Sequence, residues 1–354
     1  MIKPAPMFDI MIVYDAHSAY SAADFAYHES APFAARGKYF HCNDTYQYFI
    51  RYCKQQGLSV ALTTTNDIDA KGQFQSFWTY ANHWQRHPGM ATAKVIFDKF
   101  SNLTPHNCQV HKFLITALKP LPIFHNQAMR ILFDNKLKTY QQFPRYAIPT
   151  VKVDSLTKAS IRQAKNALCA LCDHHPYRDD FNADLVLKDQ FGMSGNKIFK
   201  ITNDEDFSTV PADPTTHFVL QPFIKASGFT IAQCTGSSDL RVIICNNTII
   251  QGYLRVAKAG EFRANALQGG KLVYLALDQI PKDVLKMVAD IKQHLPSKTA
   301  LYALDFIKSS HGHLYFIEGN NRPGLIWFDK EDETRAKQLI HLVVQNLKRL
   351  ILAN

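Results

Sequence analysis

The stretch Phe316-Ile-Glu-Gly-Asn320-Asn-Arg-Pro-Gly324 ends a run of strand-type residues with two oxygen-bearing side chains. Alternation along a strand places Glu318 and Asn320 on the same face. A preceding strand, Tyr302–Ile307, joins it through a glycine-containing turn, so a hairpin can bring Asp305 opposite them. Two carboxylates and an amide oxygen on one face are the ligands that Mg²⁺ takes when it also binds a polyphosphate. The alternative is that these polar residues simply face water at the end of a strand.

Arg322 lies in the turn directly after Asn320, and Pro323 fixes the backbone dihedral that follows. Its planar guanidinium can bind a carboxylate or phosphate of a substrate in a bidentate manner. The alternative is an exposed arginine, or one paired with Asp329 or Glu331, since surface ion pairs are common and weak.

A glycine loop, Gly192-Met-Ser-Gly195, lies between the predicted strands Leu185–Lys188 and Lys197–Ile201. Exposed backbone N–H groups in such a loop can surround phosphates, and Lys188 at its base can neutralise them. The loop does not match the Walker pattern. Taken alone, it is more simply explained as an ordinary glycine turn.

Polar residues also run through otherwise apolar strands further along the chain. Several arginines in one cleft would suit a phosphoryl group or a tetrahedral oxyanion, whereas each by itself favours a structural ion pair. The members are Asp239, Arg241, Arg255, Arg263, Asn265, Gly269 and Gly270.

The composition is that of a globular protein, with 46% hydrophobic and 20% charged residues in 354. This excludes a disordered chain, and the length predicts about two or three domains. The formal net charge is +10, but no five-residue run of Lys and Arg occurs. Such a diffuse field favours anionic ligands and does not indicate a nucleic-acid partner.

Neither a long apolar run nor an apolar leader is present, so we expect no membrane span and no secretory signal. Seven irregularly spaced cysteines are typical of a reducing compartment, which predicts a cytoplasmic location. Cys169 and Cys172 precede His174 and His175 and could bind zinc. The alternative, which we favour, is that both cysteines lie on the apolar face of one helix.

Strands alternate with helices up to residue 128, which predicts a mostly parallel α/β sheet. Hairpins dominate later, and two amphipathic helices, Asp283–Leu295 and Glu333–Leu350, are expected to cover their sheet. The predicted strands of the first part are Asp9–Tyr14, Leu58–Thr63, Lys94–Phe97 and Leu121–Phe124, and the predicted helices that precede the hairpins are Asn43–Lys54, His111–Leu118, Leu132–Phe143 and Leu156–Cys172.

In their order, these pieces resemble the ATP-grasp superfamily, especially the glutathione synthetases and the ligase that adds glutamate to a ribosomal protein. The resemblance spans Asp134 to about Gly324. It rests on Asp134–Thr139, Ile148–Thr150, Leu185–Lys188 with the glycine loop, Gln221–Ile224, Asp239–Arg241, Arg255, Phe262–Asn265, Gly269-Gly270, Asp305-Phe306 and Phe316–Gly324.

The resemblance implies an α/β (α+β ATP-grasp) fold in three parts. A parallel α/β pre-ATP-grasp domain would occupy residues 1–128 and supply one wall of the acceptor pocket. A central lid subdomain over 129–225 and a C-terminal metal-binding subdomain over 226–354 would grip ATP between them.

The resemblance also implies roles for individual residues. Those that hold the nucleotide would be Lys136, Lys188, Gly192, Ser194, Gly195, Gln221, Phe223, Ile224, Asp239 and Arg241, with Gln221–Ile224 as the adenine hinge. Two Mg²⁺ ions, replaceable by Mn²⁺, would be held by Asp305, Glu318 and Asn320. Arg255, helped by Arg263 and Asn265, would stabilise the transferred phosphate and the tetrahedral intermediate, and the substrate would meet Arg322, Gly269 and Gly270.

The implied activity is an ATP-dependent carboxylate–amine ligase that works through an acyl-phosphate on an anionic amino acid or peptide-like substrate. The partners would be small-molecule carboxylates and amines, with a peptide or protein acceptor and a homodimer also compatible. The alternatives are a kinase of the same fold and an ATP-binding protein without turnover. In place of the acidic residue that relatives often carry beside the hinge, this chain has Pro222.

Overall fold

The computed structural model describes residues 4–353 except 29, 102–103, 118, 125–126, 193–196, 212, 214–215, 232–236, 259–270, 297–299 and 328. Contacts divide the chain into a first unit, Met1–His125 with Gly324–Asn354, and a second unit, Asn126–Pro323. Within the described residues, no helix is both long enough and apolar enough to cross a bilayer.

The strands are β1 Met7–Tyr14, β2 Val60–Thr64, β3 Phe74–Tyr80, β4 Trp84–Lys99, β5 Val151–Val153, β6 Leu185–Asp189, β7 Ile198–Ile201, β8 Phe218–Pro222, β9 Ser238–Cys245, β10 Thr248–Val256, β11 Lys271–Leu275, β12 Leu301–Lys308 and β13 Leu314–Asn320. The helices are α1 His41–Gln55, α2 Pro105–Thr116, α3 Gln127–Phe133, α4 Lys136–Gln142, α5 Lys158–Asp173, α6 Lys282–Gln293 and α7 Lys330–Leu352.

In the first unit, β1 lies between β2 and β4 and is parallel to both. β3 is antiparallel to β2 and β4, so these four strands close on themselves. The sheet is therefore mixed, and the prediction of a mostly parallel sheet is wrong for β3. Pro88 and Gly89 look like a turn in the sequence, yet β4 continues through them. The pairing of β4 with β3 is irregular opposite Pro88 and Gly89, and Gly89 has a φ of 153°. These two features allow both residues to lie within the strand.

Two other local predictions for the first unit differ from the structure. The predicted strand at Leu121–Phe124 is reduced to a single bridge between Ile96 and Ile123. Helix α1 begins at His41, so Asn43 is not its cap but binds the backbone of Phe33 instead.

Helix α7 packs against α1 and β4 in the first unit. The prediction that it covers the later sheet is therefore wrong, because its apolar stripe reads the same whichever sheet buries it. The three-domain boundaries remain predictions, but Gly324–Asn354 groups with the first unit and not with the C-terminal subdomain assigned to 226–354.

The second unit contains two antiparallel sheets. One has the order β11-β10-β9-β12-β13 and the other β5-β8-β6-β7. The turn between β9 and β10 is Asn246-Asn247, and both residues have positive φ, as a tight hairpin turn requires.

Each sheet of the second unit has its own core. Helix α5 covers the four-stranded sheet through Ile161 and Leu168, and α6 buries Val284 and Val288 in the core of the five-stranded sheet. Helices α3 and α4 also join the latter core, although the sequence predicts one helix over Leu132–Phe143. Asn135 interrupts that helix because its side chain caps α4.

Candidate active site on the five-stranded sheet

Neighbouring strands bring charged side chains onto one face of the five-stranded sheet. Asp305 on β12 is directly opposite Arg241 on β9 and Glu318 on β13, and Arg255 on β10 is opposite Asp239. Residues that are directly opposite in antiparallel strands share a face. The juxtaposition predicted from the sequence is present, whereas the roles of these residues remain predictions.

Asp305 is fully buried and accepts three charge-assisted hydrogen bonds. Arg241 donates from Nε to Oδ1 at 2.7 Å and from Nη2 to Oδ2 at 2.6 Å. Arg255 donates from Nη2 to the same Oδ2 at 2.6 Å and from Nε to Oδ1 of Asp239 at 2.5 Å. The four charges alternate in sign, which is the condition under which buried charges are tolerated.

The arginines keep Asp305 ionised. Burial raises the pKa of the Asp305 carboxyl, but the two guanidinium groups outweigh burial and hold the pKa below its ordinary value. Burial raises the pKa of Asp239 to about 6 against the opposing effect of Arg255, with a further rise from the charge of Asp305. As the pH falls, Asp239 is therefore protonated before Asp305.

The donor chemistry of this face fits a hard divalent cation. A carboxylate has about four lone-pair positions, and three on Asp305 accept arginine hydrogen bonds, so one on Oδ1 remains. Within the part of the chain that the structure describes, the Glu318 carboxylate makes no hydrogen bond or ion pair. Asn320 uses its Oδ1 to accept the backbone N–H of Arg322 at 2.9 Å. An oxygen-only donor set of this kind suits Mg²⁺.

Gly319 lies between Glu318 and Asn320 on β13 and packs closely against the core. A Cβ atom at residue 319 would come within 2.2 Å of the Phe133 ring of α3. Phe133 is itself buried and cannot move away without opening the core. Glycine is thus required between Glu318 and Asn320.

The two lysines predicted to hold phosphates are electrostatically coupled. Burial lowers the pKa of Lys188 to about 8; the charge of Glu318 opposes this shift and that of Lys136 adds to it. Lys136 donates through Nζ to the carbonyl of Gly192, and its backbone N–H binds the carbonyl of Gln190 at 3.0 Å. These bonds hold the start of the glycine loop against the beginning of α4.

We predict that nucleotide affinity falls as the pH rises through about 8. An amine is cationic below its pKa and neutral above it, so Lys188 loses its attraction for phosphate in that range. Titration of the Lys188→Met variant with ADP should show weaker binding at pH 7 and a smaller loss between pH 7 and 9. Equal pH dependence in both proteins would contradict the role of Lys188.

The predicted adenine hinge is the end of β8 and the residues after it. Gln221 is buried, and its amide nitrogen donates to Oγ1 of Thr150 at 2.7 Å. Its buried Oε1 has no hydrogen-bond partner among the described residues. The backbone N–H of Phe223 binds the carbonyl of Asp184 at 2.8 Å, and Ile224 is buried. The hinge role itself remains a prediction.

Arg322 has a largely buried side chain and forms an ion pair with Asp134. Its side chain is 7% exposed, and Nη2 donates to both carboxylate oxygens of Asp134 at 3.1 and 3.2 Å. Arg130 also approaches Asp134, at 3.9 Å. The sequence could not indicate this partner, because 188 positions separate the two residues. Contact of Arg322 with substrate remains a prediction, which this ion pair does not support.

We predict that Arg322→Ser lowers the free energy of unfolding by about 3 kcal/mol, since it leaves the carboxylate of Asp134 without its closest partner. Urea denaturation should show that the Arg322→Ser/Asp134→Asn double variant loses less than the sum of the single variants. Full stability of Arg322→Ser, combined with a raised KM for the acceptor, would instead support the substrate role.

The remaining predicted residues cannot be located. Ser194, Gly195, Arg263, Asn265, Gly269 and Gly270 lie outside the described residues. The zinc alternative finds no support, because no group of three or more His, Cys, Asp or Glu side chains arranged to hold a metal occurs among the described residues. Both cysteines lie on α5, where Cys172 packs against the core of the four-stranded sheet, but the prediction that Cys169 shares this apolar face is wrong, since Cys169 is exposed.

A model of the RimK-like ATP-grasp domain matches residues 134–343. The chain belongs to the RimK-like ATP-grasp family. This RimK-like chain is 28% identical over 150 residues to a "probable alpha-L-glutamate ligase 2" of Hahella chejuensis, covering 40% of the chain and 43% of that relative. It is 30% identical over 151 residues to a "probable alpha-L-glutamate ligase" of Legionella pneumophila, covering 42% and 45%. The matches thus span less than half the length of these relatives.

Solved structures confirm the ATP-grasp fold of the RimK-like chain. The D-alanyl-alanine synthetase A of Vibrio cholerae aligns with 98% of the chain and 99% of its own, with a TM-score of 0.64 and 12% identity. A RimK domain protein of Sphaerobacter thermophilus aligns with 97% and 99%, with a TM-score of 0.54 and 11% identity. The expected fold class is therefore correct, apart from the mixed sheet of the first unit.

Proposed function

We propose that this protein is an ATP-dependent carboxylate–amine ligase that forms an amide bond through an acyl-phosphate. The observation that carries the proposal is the group of buried Asp305, Arg241 and Arg255 with Glu318 directly opposite Asp305, in a chain of the RimK-like family. The names of the curated relatives and the charge of +10 support an anionic amino acid such as glutamate as a substrate.

Mg²⁺ would be held by Glu318 and Asn320 together with the remaining lone pair of Asp305. When bound, the cation would neutralise negative charge on the phosphate oxygens. The proposal includes two such ions, which Mn²⁺ could replace. Lys188 and Lys136 would add positive charge to the same phosphates.

Arg255 would stabilise charge that develops during transfer. Its guanidinium is oriented in advance by Asp239 and Asp305, so no reorganisation is needed when an oxyanion forms. Burial lowers the pKa of Arg255, as does the charge of Arg241, but its two carboxylate partners outweigh both, and its pKa lies above the ordinary value. Arg255 therefore stays cationic and cannot act as a proton donor or acceptor in the reaction.

The test is a product analysis with purified protein, ATP, Mg²⁺ and a panel of amino acids that includes glutamate. Release of ADP and phosphate that depends on one amino acid supports the ligase, and added hydroxylamine should trap the acyl-phosphate as a hydroxamate. Release of AMP would contradict this mechanism. A stable phosphorylated product without free phosphate would indicate a kinase, and ATP binding without any product would indicate a non-catalytic protein.

A further inference from the structure

Asp180 lies in a short 3₁₀ turn, Arg178–Asp180, between α5 and β6, and its carboxylate is fully buried. It accepts hydrogen bonds from three side chains of the β12–β13 hairpin. Nδ1 of His311 binds Oδ1 at 2.7 Å, and Oδ2 accepts Nδ1 of His313 at 2.9 Å and the hydroxyl of Tyr315 at 2.6 Å. The carboxylate thus ties a connection of the four-stranded sheet to a hairpin of the five-stranded sheet.

The same hairpin holds the segment that follows the predicted adenine hinge. The backbone N–H of Ser227 binds the carbonyl of Lys308 at 3.0 Å, and the N–H of Ser310 binds the carbonyl of Lys225 at 2.8 Å. The Ser227 hydroxyl also donates to the carbonyl of Ser309 at 2.8 Å. These bonds fix residues 225–227 to the turn end of the hairpin.

The other end of the hinge is held by the segment that carries Asp180. Phe223 donates its backbone N–H to the carbonyl of Asp184, four residues after Asp180, at 2.8 Å. Ile224 packs in a small core with Ile148 and Tyr315. Asp180 therefore supports residues 223–227 at both ends. The hairpin that it binds holds residues 225–227, and the α5–β6 connection in which it lies holds Phe223.

Asp180 remains ionised in this environment. Burial raises the pKa of its carboxyl, but the hydrogen bonds from Tyr315, Ser309, His311 and His313 outweigh burial, so the pKa lies below its ordinary value. Hydrogen bonds to a charged acceptor are stronger than neutral ones.

We propose that Asp180 is a positioning residue for the nucleotide base: together with His311, His313 and Tyr315 it fixes residues 223–227, against which the base binds. This inference rests on the proposed function, since it assumes that the protein binds ATP at this hinge. Among the described residues, no hydrogen bond or ion pair joins Asp180 and its three donors to Asp305, Arg241 or Arg255, so loss of Asp180 should affect base binding and spare the transfer step.

The test uses the Asp180→Asn variant with Asp179→Asn as the matched control, since Asp179 is adjacent and its side chain is 87% exposed. Calorimetric titration with ADP should give a Kd about tenfold higher in Asp180→Asn, the loss expected for one charged hydrogen bond. The KM for ATP should rise by a similar factor, while kcat at saturating ATP stays within about twofold of the wild type.

The outcomes separate this inference from the proposed function. If the wild type binds neither ADP nor ATP, the proposed function fails, and with it the premise of the inference. If the wild type binds ADP and a folded Asp180→Asn binds it equally well, or if kcat falls while KM is unchanged, the inference is overturned and the proposed function stands. If Asp180→Asn does not fold, the His311→Gln/His313→Gln variant decides, because both histidines are partly exposed and removing them spares Asp180.

Discussion

Replacement of Asp305 by asparagine is expected to abolish turnover and to lower the free energy of unfolding by about 3–5 kcal/mol. The substitution keeps the shape of the side chain but removes the charge that two buried guanidinium groups share. Arg255 retains Asp239, whereas both side-chain hydrogen bonds of Arg241 to the described residues go to Asp305. An uncompensated buried charge then remains in the core of the sheet.

Urea denaturation and circular dichroism measure this loss, with Asp283→Asn as the control, because Asp283 is half-exposed and its ion pair with Lys308 spans 3.6 Å. The control should stay within about 1 kcal/mol of the wild type. An Asp305→Asn protein that is as stable as its control would show that the arginines find other partners, and the described network would not be what holds this sheet together.

The same carboxylate predicts an acid transition. The pKa of Asp305 is lower in the folded protein than in the unfolded chain, where it is about 3.9. The ionised carboxylate therefore stabilises the fold fully above the unfolded-state pKa. This stabilisation is lost as the pH falls through the folded-state pKa. The wild type should therefore lose stability below about pH 4 more steeply than Asp305→Asn, which has no such proton to bind.

Substitution of Glu318 by glutamine is expected to lower Mg²⁺-dependent turnover by more than about 100-fold while the fold is retained. A neutral amide is a weaker magnesium ligand than a carboxylate. Because the Glu318 carboxylate has no hydrogen bond or ion pair to the described residues, its neutralisation breaks no such bond in the fold. Loss of its charge should also lower the pKa of Lys188 below about 8, which weakens the hold on phosphate at neutral pH.

The measurement is the initial rate as a function of Mg²⁺ concentration, with melting temperature as the check on folding. Glu331→Gln is the matched control, since Glu331 is an exposed acid thirteen positions further along the chain. The half-saturating Mg²⁺ concentration should rise in Glu318→Gln and stay constant in the control. Wild-type activity in Glu318→Gln would remove this residue from the metal site.

The two outcomes together distinguish the roles of neighbouring acids. Asp305 is predicted to be needed both for the fold and for the reaction, and Glu318 for the reaction alone. This contrast follows from the hydrogen-bond partners of the two carboxylates in the structure. The sequence shows only that both residues are acids on paired strands.

The hairpins of the second unit could be predicted because their signals are local. Asn246-Asn247 marks a tight turn, and alternation in Leu301–Lys308 and Leu314–Asn320 gives the face of each side chain. The juxtaposition of Asp305 with Glu318 follows from one turn and one register. Asp134 with Arg322, and Asp180 with His311, could not be predicted because each pair joins distant segments through packing that no short-range pattern encodes.

The amphipathic pattern of helix α7 led to a wrong prediction. The apolar stripe of α7 was assigned to the nearest sheet in the sequence, although amphipathicity identifies only that a face is buried and not which surface buries it.

Phe133 covers Gly319 so closely that the two positions cannot vary independently. Any side chain at 319 requires a smaller one at 133, which would leave a void in the core beneath α3. A library that randomises Glu318, Gly319 and Asn320 to retune metal preference would therefore be dominated by unfolded clones unless residue 133 is randomised with it. Redesign of the proposed metal site therefore has to include residue 133, which lies in the core beneath it.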